Sequence, residues 1–338
     1  NNSIPFHVKW INRIATRVLD ILYAEHYINR KFARLIEEID YKYYDHIFVF
    51  SSGIKHETIL ATENLPILRK AIIIFHDPYP HAWYDVKTSK IHKNEFLRLR
   101  KMIGVVKQAK ACGATAYYMA KDLQYLYASD KIFYTLPHYF EPSAFNLTYK
   151  DQVRKKEAKL QISYHGALML GRNLFNVLEA YSQLIQEVPY FQIHTEFVLR
   201  VKGEGIRYLK RNFGDVANII FLDTLDFSNS YNEQAYQSDI CVILENGPYY
   251  SNILPGKVPF LASTGKPVLI ISPERSELKR ILEDNNQYIA DMNSVKEIKQ
   301  RLLDLIRLTL EEYNFTNPFG EYFGDHFFKK NIDEMING

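Results

Sequence analysis

Gly166 and Arg172 close an apolar run over Leu160–Tyr164 and precede a helical pattern from Leu174 to Glu187. That arrangement suits an anion. A glycine lets backbone come close to a phosphate, the start of the next helix offers unpaired N–H groups, and a guanidinium is a forked donor matched to phosphate oxygens. Lys257 supplies a second cation, at the end of the loop that Glu245 opens after the run Ile240–Leu244. Gly203-Glu204-Gly205 closes a third run, Phe197–Val201. It has the start of a dinucleotide fingerprint without the third glycine, so a simple turn is an equal reading. His76-Asp77 closes the run Lys70–Phe75 in the first half, where a catalytic role and ordinary loop composition both fit. Glu245 likewise reads as a ligand contact or as a solvated loop carboxylate. No carboxylate pair, nucleophile triad or zinc-like cluster stands out, and no Asp-x-Asp segment offers to hold a metal-bound diphosphate.

The elements that must position these residues alternate along the chain. Apolar residues recur at helical spacing from Trp10 to Ile39, and a strand follows over His46–Phe50. A second strand covers Lys70–Phe75, a helix Glu95–Ala111, a strand Thr115–Met119, a short helix Lys121–Tyr127 and a strand Lys131–Leu136. Polar residues dominate Tyr149–Lys159, and the alternation then restarts. It predicts strands at Leu160–Tyr164, Phe197–Val201, Ile219–Leu222, Ile240–Leu244 and Pro267–Ile271. Helices are predicted between them and over Glu274–Glu283, with Ser272-Pro273 as cap and first turn, and over Val295–Glu312. Nearly continuous apolar runs of this length fit parallel strands covered on both faces. The fold class is therefore α/β, with one Rossmann-like domain over 1–155, a second over 156–312 and a tail, 313–338, placed back on the first domain. The Phe-rich stretch Phe315–Phe328 shows no usable periodicity.

Composition narrows the partners. The 338 residues are 47% apolar and 24% charged, as in an ordinary globular protein, and the net charge of +3 has no basic cluster that would grip a nucleic-acid backbone. Arg98–Lys101 and Arg154–Lys156 are short basic stretches. Cys112 and Cys241 share no metal-ligand spacing, and a reducing compartment suits them better than a disulfide framework. No apolar run approaches the roughly 20 residues that span a bilayer.

The second half resembles the donor domain of retaining GT-B glycosyltransferases of the family-4-like group. The resemblance runs through Gln161–Tyr164, Gly166, Arg172-Asn173, Phe197–Gly205, Ile219–Leu222 and Asp239–Leu244. It is most specific from Pro255-Gly256-Lys257 to Gly265-Lys266-Pro267-Val268. Ile72–Asp77 and Lys131–Phe145 match the acceptor domain more loosely. The resemblance implies a GT-B architecture, two Rossmann-like domains facing across a cleft. It implies transfer of a hexose-type sugar from a UDP-sugar or GDP-sugar to a glycan or lipid-linked acceptor, with retained configuration and without a metal or other cofactor. By the same resemblance Arg172 and Lys257 meet the donor diphosphate, Gly166, Gly203, Gly205 and Glu245 line the nucleotide site, and His76 stands near the transferred sugar. A cytoplasmic location follows, with peripheral association at the inner membrane face as an option, and the oligomeric state stays open.

Three features depart from the family pattern. Ala167 stands where an arginine often follows the glycine, Phe260 replaces the usual ribose-binding glutamate, and the first acceptor-domain strand is not visible before Trp10, so residues are expected ahead of Asn1. A phenylalanine ring accepts no hydrogen bond from a sugar hydroxyl. A non-catalytic nucleotide-sugar or carbohydrate-binding protein of the same architecture therefore stays in view as the alternative.

Overall fold

The computed structural model describes residues 11, 14, 25–51, 56–79, 93–144, 152–157, 159–203, 205–283, 286–311, 315 and 317–338. Most of the helical pattern before Glu25, the Glu204 position and the segment 145–151 lie outside these residues. The chain forms two compact units, Asn1–Leu136 with Asn331–Gly338, and Pro137–Lys330.

The first unit contains α1 (Glu25–Glu37), β1 (Ile47–Phe50), α2 (Glu57–Leu60), β2 (Ala71–Phe75), α3 (Lys93–Gln108), β3 (Ala111–Ala114), α4 (Tyr117–Leu126) and β4 (Phe133–Thr135). Its sheet is parallel throughout, in the order β1-β2-β3-β4. All five residues of β2 are buried, as a central parallel strand requires. The sequence reading placed the third strand at Thr115–Met119. The strand is instead Ala111–Ala114, and Tyr117 already opens α4. Small residues hide a strand from any apolar count, but here their size is the requirement. A Cβ on Gly113 would lie 2.8 Å from Met335 Cε and 3.0 Å from the Tyr134 carbonyl. The chain end belongs to this unit through the same contacts, and Lys110 Nζ donates to the Ile336 carbonyl at 3.1 Å.

The second unit contains β5 (Leu160–Leu168), α5 (Phe175–Glu187), α6 (Pro189–His194), β6 (Thr195–Gly203), α7 (Ile206–Phe213), β7 (Ile219–Leu222), α8 (Phe227–Tyr236) and β8 (Ile240–Leu244). It continues with β9 (Tyr250–Ser251), α9 (Val258–Ser263), β10 (Val268–Ser272), β11 (Arg275–Ser276), α10 (Glu277–Leu282), β12 (Ile289–Asp291) and α11 (Val295–Leu310). A final helix, α12 (Asp325–Asn337), begins in this unit and ends in the first. The six-stranded sheet runs β12-β10-β8-β5-β6-β7, all parallel. This is the doubly wound order, and its direction of winding reverses between β5 and β8.

Residues 137–157 belong to the second unit, so the chain passes from one unit to the other well before the polar stretch that suggested a boundary near residue 155. Arg154 accounts for this. Its guanidinium pairs with Glu196 on β6, its backbone N–H donates to Glu233 on α8 at 2.7 Å, and Glu233 also takes both ends of Arg200. Burial alone would raise the Glu233 carboxyl, but hydrogen bonds from His165, Arg200 and the Arg154 backbone pull it down to about 2. Phe140 adds an apolar tie, with its ring 5.4 Å from Tyr231.

Local capping sets the helix starts. Ser294 accepts from Glu297 N–H at α11, and the serine with a glutamate three residues on is a capping-box pattern. Ser276, not Ser272-Pro273, caps α10, where it accepts from Lys279 N–H at 3.1 Å. Ser272 is the last residue of β10 and turns its hydroxyl to Glu245.

Candidate functional site: a pair of cations at the β5–β8 switch

β5 pairs with β8 only at Ile162 and Ser163, then continues beside β6 as far as Leu168. The two strands therefore part beyond Ser163, and their carbonyls lose each other as neighbours. The Lys257 ammonium fills the opening. Its Nζ donates to the His165 carbonyl on β5 at 2.8 Å and to the Val242 carbonyl on β8 at 3.4 Å. It also lies 4.0 Å from the centroid of the Tyr164 ring, close enough for a cation–π contact. Lys257 reaches this point as the residue that begins α9, with Pro259 fixing the first turn.

Arg172 comes to the same place from the loop after β5. That loop turns at Leu170 and Gly171, both at positive φ, and a Cβ on Gly171 would lie 2.5 Å from the Gly247 carbonyl. The chain returning from β8 therefore passes against it, and Arg172 Nε donates to Asn246 Oδ1 at 3.0 Å. Its Nη1 donates to the Ala167 carbonyl at 3.2 Å, which also receives the Tyr164 hydroxyl at 3.4 Å. Arg172 thus folds back to the residue directly after Gly166.

Burial, and next the charge of Arg172, hold the Lys257 ammonium well below the usual lysine range. Among the described residues neither cation pairs with a carboxylate. Two like charges brought together without a counter-ion at the carboxyl ends of parallel strands are an arrangement able to accept an anion. Gly166 lies beside Lys257. A Cβ there would meet the Tyr164 hydroxyl at 2.9 Å and Lys257 Nζ at 3.6 Å.

In the first unit His76 follows β2, with its N–H donating to Ser51 Oγ at the end of β1 and its carbonyl receiving Thr115 Oγ1 from the end of β3. Its ring lies 5.5 Å from that of Phe50. Burial lowers its pKa, and Asp77 offsets part of that effect. The buried His56 ring fixes the next step of the chain through a 2.9 Å contact between Nε2 and the Asp77 carbonyl.

Two parallel units of these topologies match solved structures along most of their length. A UDP-forming α,α-trehalose-phosphate synthase from Burkholderia xenovorans superposes with a TM-score of 0.66 at 11% identity, over 93% of this chain and 78% of that one. The fold is GT-B. The GT-B chain is also similar to S. aureus MnaA with UDP, with a TM-score of 0.55 and 17% identity over 94% of this chain and 82% of that one. S. aureus TarM in complex with fondaparinux, α-GlcNAc-glycerol and UDP matches at 0.60 and 9%, over 86% of this chain and 55% of that one. No protein-family model matches the sequence, and no curated protein matches it.

Within the second unit of this GT-B chain, Gly166, Arg172 and Lys257 come together, while the other candidates from that half of the sequence lie elsewhere in the unit. Gly203 ends β6 opposite Leu168 at φ 111°, and Gly205 begins α7 at φ 88°. Glu245 is fully buried. Its carboxylate accepts from Ser272 Oγ at 2.5 Å and from Leu278 N–H at 3.3 Å, and burial raises its pKa to about 7. Phe260, also buried, lies with its ring 5.5 Å from Tyr231 and 6.1 Å from Phe227. Two residues that the sequence reading did not single out contact the cations, Tyr164 and Asn246. Tyr164 carries a signal in retrospect. It stands two residues before Gly166 on one strand, and alternate strand residues share a face.

Proposed function

We propose that this protein is a glycosyltransferase whose second unit binds a UDP-sugar, with Arg172 and Lys257 on the diphosphate. The observation that carries the reading is the pair of cations without a carboxylate partner at the point where β5 and β8 part. UDP is preferred to GDP because the similar proteins named above are a UDP-forming synthase and two chains in complex with UDP. The acceptor hydroxyl oxygen forms a bond to the anomeric carbon as the bond from that carbon to the diphosphate breaks. The bonding pair leaves with UDP, and the hydroxyl proton passes to the departing phosphate oxygen. Negative charge on that oxygen grows along this path, so cations already in place stabilise the transition state more than the ground state. Retention, independence of metal and a glycan or lipid-linked acceptor belong to the proposal. So does a cytoplasmic location with the acceptor met at the inner membrane face, which cell fractionation reads.

The test is calorimetric titration with UDP, GDP and ADP in the presence of EDTA, followed by UDP-sugar turnover with an acceptor panel and NMR of the product anomer. Tight UDP binding with turnover to a retained anomer is the expected result. UDP binding without turnover would favour the alternative of a nucleotide-sugar-binding protein, to which the burial of Phe260 among aromatic rings lends support. An absence of nucleotide binding would end both readings.

A further inference from the structure

Tyr164 is fully buried, and its side chain meets the contacts of both cations. The ring face looks at Lys257 Nζ, 4.0 Å from the centroid, and the hydroxyl donates to the Ala167 carbonyl at 3.4 Å. Arg172 Nη1 donates to that same carbonyl. A phenylalanine would fill the strand position equally well as core, and a leucine would suit a parallel strand. Neither would bring a hydroxyl to that carbonyl.

We propose that Tyr164 is the positioning residue of the cation pair, with its ring face carrying Lys257 and its hydroxyl sharing the Ala167 carbonyl with Arg172, so that one buried side chain sets the separation of the two groups offered to the diphosphate. This rests on the reading of the site as a UDP site. The two cations repel, and water is largely excluded from the lysine. A π face stabilises an ammonium there without neutralising it, whereas a carboxylate would form an ion pair that the incoming diphosphate would have to break. The hydroxyl is uncharged as well, so its place beside the guanidinium at the Ala167 carbonyl leaves that charge available. Gly166 belongs to this arrangement, because a Cβ there would crowd the Tyr164 hydroxyl at 2.9 Å and lie 3.6 Å from Lys257 Nζ.

Ring electronics separate positioning from packing. Tyr164→Phe removes the hydroxyl alone, and substitution of the same position by phenylalanines carrying one to five fluorines drains the π face at nearly constant shape. UDP affinity is measured for each across pH, and Lys257 is titrated in the unliganded protein by NMR of its labelled amine, identified by its loss in Lys257→Arg. Tyr164→Phe is expected to weaken UDP a few-fold with the alkaline limb of binding unmoved. The fluorine series is expected to weaken it further, to about tenfold at five fluorines, and to move both the limb and the Lys257 titration stepwise to lower pH. A pentafluoro variant with the affinity and limb of Tyr164→Phe would overturn the proposal. If the unaltered protein binds no UDP, the function proposed above fails by itself. The Lys257 titration then decides the role of Tyr164, with a stepwise downward shift supporting it and an unmoved titration refuting it.

Discussion

Arg172 Nε donates to Asn246 Oδ1 at 3.0 Å, and this bond links the loop after β5 to the loop after β8 across the switch in sheet winding. Asn246 is buried, so it aims the guanidinium from a fixed point without cancelling its charge. Asn246→Asp would place a carboxylate on the same atom and neutralise one of the two cations. UDP affinity should fall by about tenfold or more in that variant, the scale of a lost charged hydrogen bond. Calorimetry on the folded variant checks this, and an unchanged affinity would remove Arg172 from the phosphate site.

Lys257 gives binding a pH dependence with a definite sign. Burial and Arg172 hold its pKa below the usual lysine range, and a bound diphosphate would favour the ammonium. Binding should therefore take up a proton as pH rises through the lowered midpoint, and affinity should decline above it. Titrations in buffers of different ionisation enthalpy measure the uptake directly. Lys257→Met should abolish the uptake and cost about 1.5–3 kcal/mol of UDP binding.

We propose that His76 meets the transferred sugar rather than the nucleotide. His76→Ala should lower transfer by about a hundredfold or more, the scale of one preorganised group lost from a transition state, while UDP binding changes little. Asp77 raises the His76 pKa against the larger effect of burial. Asp77→Asn should therefore move any acid limb of the rate to lower pH. Single-turnover measurements across pH read both effects, and full transfer by the His76→Ala enzyme would take this residue out of the mechanism.

Glu245 makes stability depend on pH. Its folded-state pKa of about 7 lies above the ordinary glutamate value, because burial favours the neutral carboxyl. Its contribution is fully present below the unfolded pKa and is lost as pH rises through about 7. Glu245→Gln keeps an acceptor for the Leu278 N–H and a group for Ser272, so the variant should lose this slope. Above pH 7 it should gain up to about 3 kcal/mol over the parent. Denaturant unfolding at pH 5 and pH 8 tests this, and parallel curves for the two proteins would show that Glu245 is not the titrating group.

Much of the fold was legible because a parallel strand covered on both faces is a continuous apolar run, and such a run is a local signal. Ile47–Phe50, Ala71–Phe75, Ile219–Leu222 and Ile240–Leu244 could be read from neighbours in sequence alone. The Ala111–Ala114 strand could not, because its residues are chosen for the room left by Met335, Tyr134 and Ile74, all remote in sequence. The same division holds in the site. Residue type and position after strands marked Gly166, Arg172 and Lys257 as candidates for one site, and the structure brings the three together. That Lys257 enters the gap between β5 and β8, 92 residues from the carbonyl it meets on His165, is decided by strand order. That the Tyr164 ring lies against its ammonium is decided by packing around that gap. Local sequence sets which groups a chain offers, whereas the winding reversal of the sheet sets which of them share one opening, and no short-range pattern encodes that reversal.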